Sequence, residues 1–156
     1  MSTKAQIISS DFIVATSIFL LFIAIIYSLW LTKTYYIEEE KRVIDIDDAA
    51  ITASNIWLRE GNPKYWNQSN IIDLGLENNN RLNQTKIDML NDLGYENVKK
   101  LAGLERYDFF MRIYNQNNQT LFRYGKIENA KNIAKIKRVS ILNGSIVFLD
   151  TIVWSK

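Results

Sequence analysis

Few residues in this chain could do chemistry, and two of the usual types are missing. The 156 residues include no Cys and no His. That excludes thiol nucleophiles, disulfides, Cys/His zinc sites and His-dependent triads. No Gly-rich phosphate loop and no nucleophile elbow is present, so nothing supports an enzyme. Carboxylates, amides and amines remain. Asp11 stands directly before an uncharged run, FIVATSIFLLFIAIIYSLWL. A carboxylate there is costly unless it sits at headgroup level or meets a cation on a neighbouring subunit. Glu38, Glu39 and Glu40, with Asp45, Asp47 and Asp48, form an acidic stretch. A calcium loop would need Asp-x-Asp-x-Asp-Gly. Here the Gly is absent and the context is helical, so a solvated face is expected and no metal.

Asn-x-Ser/Thr sequons begin at Asn67, Asn83, Asn118 and Asn143. Each is a candidate for N-glycosylation if it lies outside the cell. Asn67 and Asn118 fall in expected loops and Asn143 in a turn, while Asn83 also reads as a helix cap. Lys126, Lys131, Lys135, Lys137 and Arg138 make a basic stretch. On a strand, Lys135 and Lys137 point the same way. The row suits the solvent face of an edge strand, where Lys discourages aggregation, and it could also meet acidic groups of a neighbour or a polyanionic surface. The aromatics of YDFFMRIY, residues 107–114, fit core and cross-strand pairs better than the stacking of sugars or bases. Net charge is +2, too balanced to argue for a nucleic-acid partner. No cofactor is implied.

The element that must position most of these groups is a helix. Residues 12–31 are 20 in number, with no charge, Gly or Pro. As a helix they span roughly 30 Å, the hydrocarbon thickness of a bilayer. Phe12, Phe19, Phe22, Tyr27 and Trp30 would face lipid or neighbouring helices. Tyr27, Trp30, Tyr35 and Tyr36 crowd the far end like an aromatic belt. Lys4 precedes the span and the acidic run follows it, which favours a cytoplasmic N-terminus and an outer location for the rest. No A-x-A pattern follows the apolar run, so a cleaved secretory signal is not expected.

The apolar pattern continues past the span on one face. One column is Trp30, Ile37, Ile44, Ile51 and Leu58. Its neighbour is Tyr36, Val43, Ala50 and Trp57, and Ile46, Ala49, Ala53 and Ile56 widen the stripe. This is helical periodicity. One helix over residues 6–60 is expected, stopped by Glu60-Gly61-Asn62-Pro63. Over residues 40–58 the stripe should pack on the chain's own sheet; a coiled-coil seam with another subunit is the alternative.

Residues 61–156 read as one small α+β head. Residues 64–80 look like loop. Asn83-Gln84-Thr85 caps a short helix that ends at Gly94, and residues 95–101 form another, closed by Gly103. Two hairpins follow, residues 107–114 with 119–124 and residues 133–142 with 145–154. The second turns on Asn143-Gly144, the strongest short hairpin signal. The expected fold is a long N-terminal helix packed on an antiparallel sheet of about four strands.

Lys4-Ala5-Gln6, then Ser9, Asp11-Phe12 and the long apolar helix, resembles the start of archaeal type IV pilin-like proteins with a class III signal peptide. Leu101-x-Gly103-Leu104, the Tyr/Phe-rich strand, the basic strand and the Asn-Gly hairpin are similar in texture to the heads of that family. The family's common motif is Gln-x-Ser-x-Glu. Here it reads Gln6-Ile7-Ile8-Ser9-Ser10-Asp11, one residue longer and with Asp. The resemblance implies a pilin-like fold and a leader, residues 1–5, cut by a prepilin-type peptidase between Ala5 and Gln6. It implies that Asp11 pairs with the new N-terminal amine of an adjacent copy. The partners would be other copies of the chain or related pilins, with the membrane before assembly. The implied function is a major or minor subunit of a cell-surface filament. The alternative is a single-pass membrane protein whose outer domain binds a partner without polymerising.

Overall fold

The computed structural model describes residues 3–128 and 130–155, without the side chains of residues 3–9 and Lys131. The chain divides into two compact units, Met1–Arg42 and Val43–Lys156.

The first unit belongs to one helix, α1 (Thr3–Trp57), which continues into the second. Its apolar run contains no helix breaker, and its hydroxyls do not disturb it. Ser17 Oγ donates to the Ile13 carbonyl at 2.8 Å, Thr32 Oγ1 to Ser28 at 2.9 Å and Thr34 Oγ1 to Trp30 at 2.9 Å. Those donors are thus satisfied within the helix, as a lipid environment requires.

The second unit begins with the last turns of α1 and is an α+β structure. Its elements in order are β1 (Glu77–Asn78), β2 (Arg81–Leu82), α2 (Gln84–Leu93), α3 (Tyr95–Leu101), β3 (Asp108–Asn115), β4 (Thr120–Tyr124), β5 (Lys131–Leu142) and β6 (Ser145–Ser155). They form one mixed sheet in the order β1-β2-β5-β6-β3-β4. The two long hairpins lie where the periodicity puts them. The sheet is larger than the expected four strands and is not purely antiparallel. β1 and β2 are two-residue strands in an Asn-rich stretch, too short to show alternation. Asn79 and Asn80 turn them with φ of 52° and 59°, the geometry of a tight hairpin turn. β2 then meets β5 in parallel, at Leu82 and Leu142.

The sheet packs one face on α1. Ile46, Ala50, Ala53 and Trp57 recur at i, i+4, i+7 and i+11 and are all buried. Small Ala at the middle of this seam lets helix and sheet approach closely. Facing them are Phe109, Met111 and Ile113 of β3 and Val147, Leu149 and Val153 of β6. Trp57 stacks on Phe109 with ring centroids 5.6 Å apart, and Tyr95 covers the other side of Phe109 at 5.1 Å. The expected stripe was wider than the observed seam. Ile44 and Ile51 are 59% and 41% exposed, so these two face away from the sheet, while Leu58 of the same column packs against the core.

The end of α1 is closed by the chain that follows. The Leu76 N–H donates to the Trp57 carbonyl at 3.1 Å and the Glu77 N–H to the Arg59 carbonyl at 2.9 Å. These bonds satisfy carbonyls that a helix end leaves open. Only Gly fits at position 75, because a Cβ there would lie 2.3 Å from the Arg59 carbonyl oxygen. Trp66 pins the same segment, its Nε1–H donating to the Gly75 carbonyl at 2.7 Å. Lys86, buried on α2, adds its ammonium, which donates to the carbonyls of Glu60 and, at 2.9 Å, Glu77. Burial holds the Lys86 amine below its ordinary range.

Candidate functional site

Three surfaces carry the residues singled out above. The first is the N-terminal part of α1, the one helix among the described residues long and apolar enough to cross a membrane. Ala5 and Gln6 lie in its first turns; their side chains, like Met1 and Ser2, are outside the described parts. Asp11 is exposed, and among the described residues it has no ion-pair partner. Phe12 is 72% exposed, and Phe19, Phe22, Tyr27 and Trp30 are also exposed. The Tyr27 and Trp30 rings sit one turn apart, with centroids at 6.2 Å. None of this apolar surface is covered by another described part of the chain, since no residue of the apolar window is buried.

The second set is the sequons. Asn67, Asn118 and Asn143 are all exposed. Asn67 folds its side chain back, its Oδ1 accepting from the Ser69 N–H at 2.9 Å and the Ser69 hydroxyl at 2.7 Å. Asn118 and Asn143 sit in turns with φ of 60° and 50°. Asn83 is half-buried and caps α2, its Oδ1 accepting from the Lys86 N–H at 3.2 Å.

The third surface is the sheet face opposite α1. Strand alternation sends Arg112 and Tyr114 of β3, Lys135, Lys137 and Val139 of β5, and Phe148 and Asp150 of β6 to this side. Asp150 is only 2% exposed. Its carboxylate accepts from Lys135 Nζ at 2.9 Å, Arg112 Nη2 at 3.4 Å and the Tyr114 hydroxyl at 3.3 Å. Tyr114 stacks on Phe148 at 5.4 Å, with the Arg112 guanidinium 4.3 Å from the Tyr114 centroid. Lys137 lies near both rings, and the Tyr114 hydroxyl holds its amine above the ordinary range. Arg138, next in sequence, points to the other face and ties β5 to α1 through Ser54 at 3.2 Å and Asn55 at 2.8 Å. Among the described residues β2 meets β5 only at Leu82 and Leu142, and no other described strand lies beside the outer edge of β5. Lys135 and Lys137 stand along that stretch.

Asp150 was not among the expected functional residues. Its signal was present: counting back from the Asn143-Gly144 turn sets Lys137 opposite Asp150, the observed register. Among the described residues, no three acidic side chains gather closely enough to hold a metal ion. A cleft of about 520 Å³ beside Tyr95, Tyr124, Asp108 and Arg123 mixes charges of both signs, and the Tyr95 hydroxyl there donates to the Asp108 carboxylate at 3.4 Å. Comparison with protein-family models, curated proteins and solved structures finds no match to this chain.

Proposed function

We propose that this chain is a pilin-like subunit, major or minor, of an extracellular filament of the archaeal type IV pilus kind, built through α1. One observation carries the reading. α1 is a single helix whose N-terminal part exposes a full bilayer's length of apolar side chains, while its last turns are the core helix of a folded α+β unit. A membrane-length helix that continues into the core of a folded unit suits a molecule that is first a membrane protein and then a filament subunit.

In this scheme a membrane-bound precursor loses residues 1–5 to a prepilin-type peptidase. The apolar helices then exchange lipid for one another. Helix association in lipid gains little from the hydrophobic effect and depends on packing. Leaving the bilayer without partners would cost ~25 cal/mol per Å² of apolar surface exposed to water, several kcal/mol for a few hundred Å². Each helix therefore leaves lipid only into a bundle. Asp11 enters that dry bundle as a charge, and a buried charge must be paired. The new N-terminal amine of an adjacent copy supplies the partner and sets the axial register. The head faces outward, with Asn67, Asn118 and Asn143 open to glycan attachment.

The test is the N-terminal mass of the protein from its native host. The expected result is an N-terminus at Gln6, or within a residue or two of it, in a sedimentable surface fraction. An intact Met1 in protein that stays in the membrane would overturn the reading and leave a single-pass anchor with an outer binding domain.

A further inference from the structure

We infer that the outer sheet face of one copy binds the outward face of α1 of a second copy, and that this is the contact through which heads line up along the filament. The inference rests on the filament reading for its setting and on two faces of the second unit for its substance.

The first face belongs to α1. Ile46, Ala50 and Ala53 bury one stripe against the sheet. Ile44, Asp48 and Ile51 repeat the same i, i+4, i+7 spacing two residues earlier, roughly 200° around the helix. That second stripe is exposed throughout, apolar at its ends and acidic in the middle, with Asp45 and Asp47 flanking it. A helix that had only its own sheet to serve would be polar there.

The second face is the sheet surface around Asp150. Arg112, Lys135 and Lys137 stand there against one carboxylate, so a basic band crosses it. Val139 and Ile133 are exposed beside the band. Apolar ends around a basic middle complement apolar ends around an acidic middle. Like charges keep either face from pairing with itself. The contact is therefore heterologous: a copy bound through its sheet still offers its helix, and the series stays open. Opposite patches of this kind also steer encounter and fix register. The small net charge of the chain conceals them.

Within one chain the two faces cannot touch, because α1 and the sheet lie between them. A carbodiimide, which joins a carboxylate to a lysine amine in direct contact, therefore distinguishes the contact in intact cells carrying the full chain. The expected result is a cross-link between the α1 segment holding Asp45, Asp47 and Asp48 and the β5 segment holding Lys135 and Lys137. The Lys137→Glu variant should lower its yield about tenfold, and Asp48→Lys combined with Lys137→Glu should restore a link between positions 48 and 137. The exposed ion pair Lys64–Glu60, at 3.0 Å, reports from the same sample that the reagent worked. That link formed without any α1–β5 link would overturn the inference. The N-terminal mass is read separately: processed protein without the α1–β5 link fails this contact alone, and an intact N-terminus with the link fails the filament reading alone.

Discussion

Lys135 and Asp150 form an ion pair at 2.9 Å in which one partner is half in solvent and the other is 2% exposed. The burden of burial therefore falls on the carboxylate. Removing its charge with Asp150→Asn leaves Arg112, Lys135 and Tyr114 to rearrange, and the expected loss is about 1–3 kcal/mol. Lys135→Ala should cost less, about 1 kcal/mol, because Arg112 and Tyr114 still reach the carboxylate. Thermal unfolding of the full chain in detergent, followed by tryptophan fluorescence, ranks the two. A larger loss for Lys135→Ala would contradict the burial argument.

Gly75 and Gly103 separate two reasons for glycine. Gly103 has φ of 68° with open space around it, so Gly103→Ala should cost only left-handed backbone strain, about 1–2 kcal/mol. Gly75→Ala drives a Cβ into the backbone of Arg59 and Gly61. The closing strand must then leave the end of α1, at about 3 kcal/mol or more. Equal melting temperatures for the two variants would refute this.

The two stripes of α1 predict opposite phenotypes. Ala53→Leu overfills a fully buried seam and should destabilise the head by about 1–3 kcal/mol. Ile44→Ser changes an exposed position, so head stability should stay within about 0.5 kcal/mol while association between copies falls. Melting temperature and sedimentation of the same preparations read the two effects independently.

Alkaline pH should unfold the head through its phenols. Burial pushes Tyr95 and Tyr124 up to about 12 from an ordinary 10.0. Below pH 10 their contribution is complete. Between pH 10 and 12 the unfolded chain releases protons that the folded chain keeps, so stability falls, by on the order of 2 kcal/mol per group. Lys86 acts in the opposite sense, since its lowered amine makes stability rise with pH until about 10.5. Tyr124→Phe should blunt the alkaline loss. It should be neutral or mildly stabilising at pH 7, because the Tyr124 hydroxyl is buried with no hydrogen-bond partner among the described residues. Denaturant midpoints between pH 7 and 12 test this.

Local signals made much of the fold legible. Asn83 and Gly94 bound α2, and Asn143-Gly144 fixes the β5–β6 register, because caps and tight turns depend on a few adjacent residues. β1 and β2 were not legible. Their partners are set by Gly75 passing the end of α1, a contact between segments far apart in sequence. The facing of α1 was half legible. The Ile44–Ile51 and Ile46–Ala53 stripes both carry apolar residues, and periodicity alone does not say which meets the sheet. Asp150 was readable only by carrying the hairpin register six residues from its turn. Lys86 gave no sign, since a lysine buried on backbone carbonyls looks like any other helix lysine.

The sheet order has a consequence for how the chain emerges from the ribosome. β6 lies between β5 and β3, yet it follows every other strand in the chain. Until it appears, β1-β2-β5 and β3-β4 are separate fragments, each with an open inner edge and an uncovered apolar face. By then α1 has long been made. A chain whose β6 has not yet docked carries two sticky half-sheets, a species prone to capture by its neighbours.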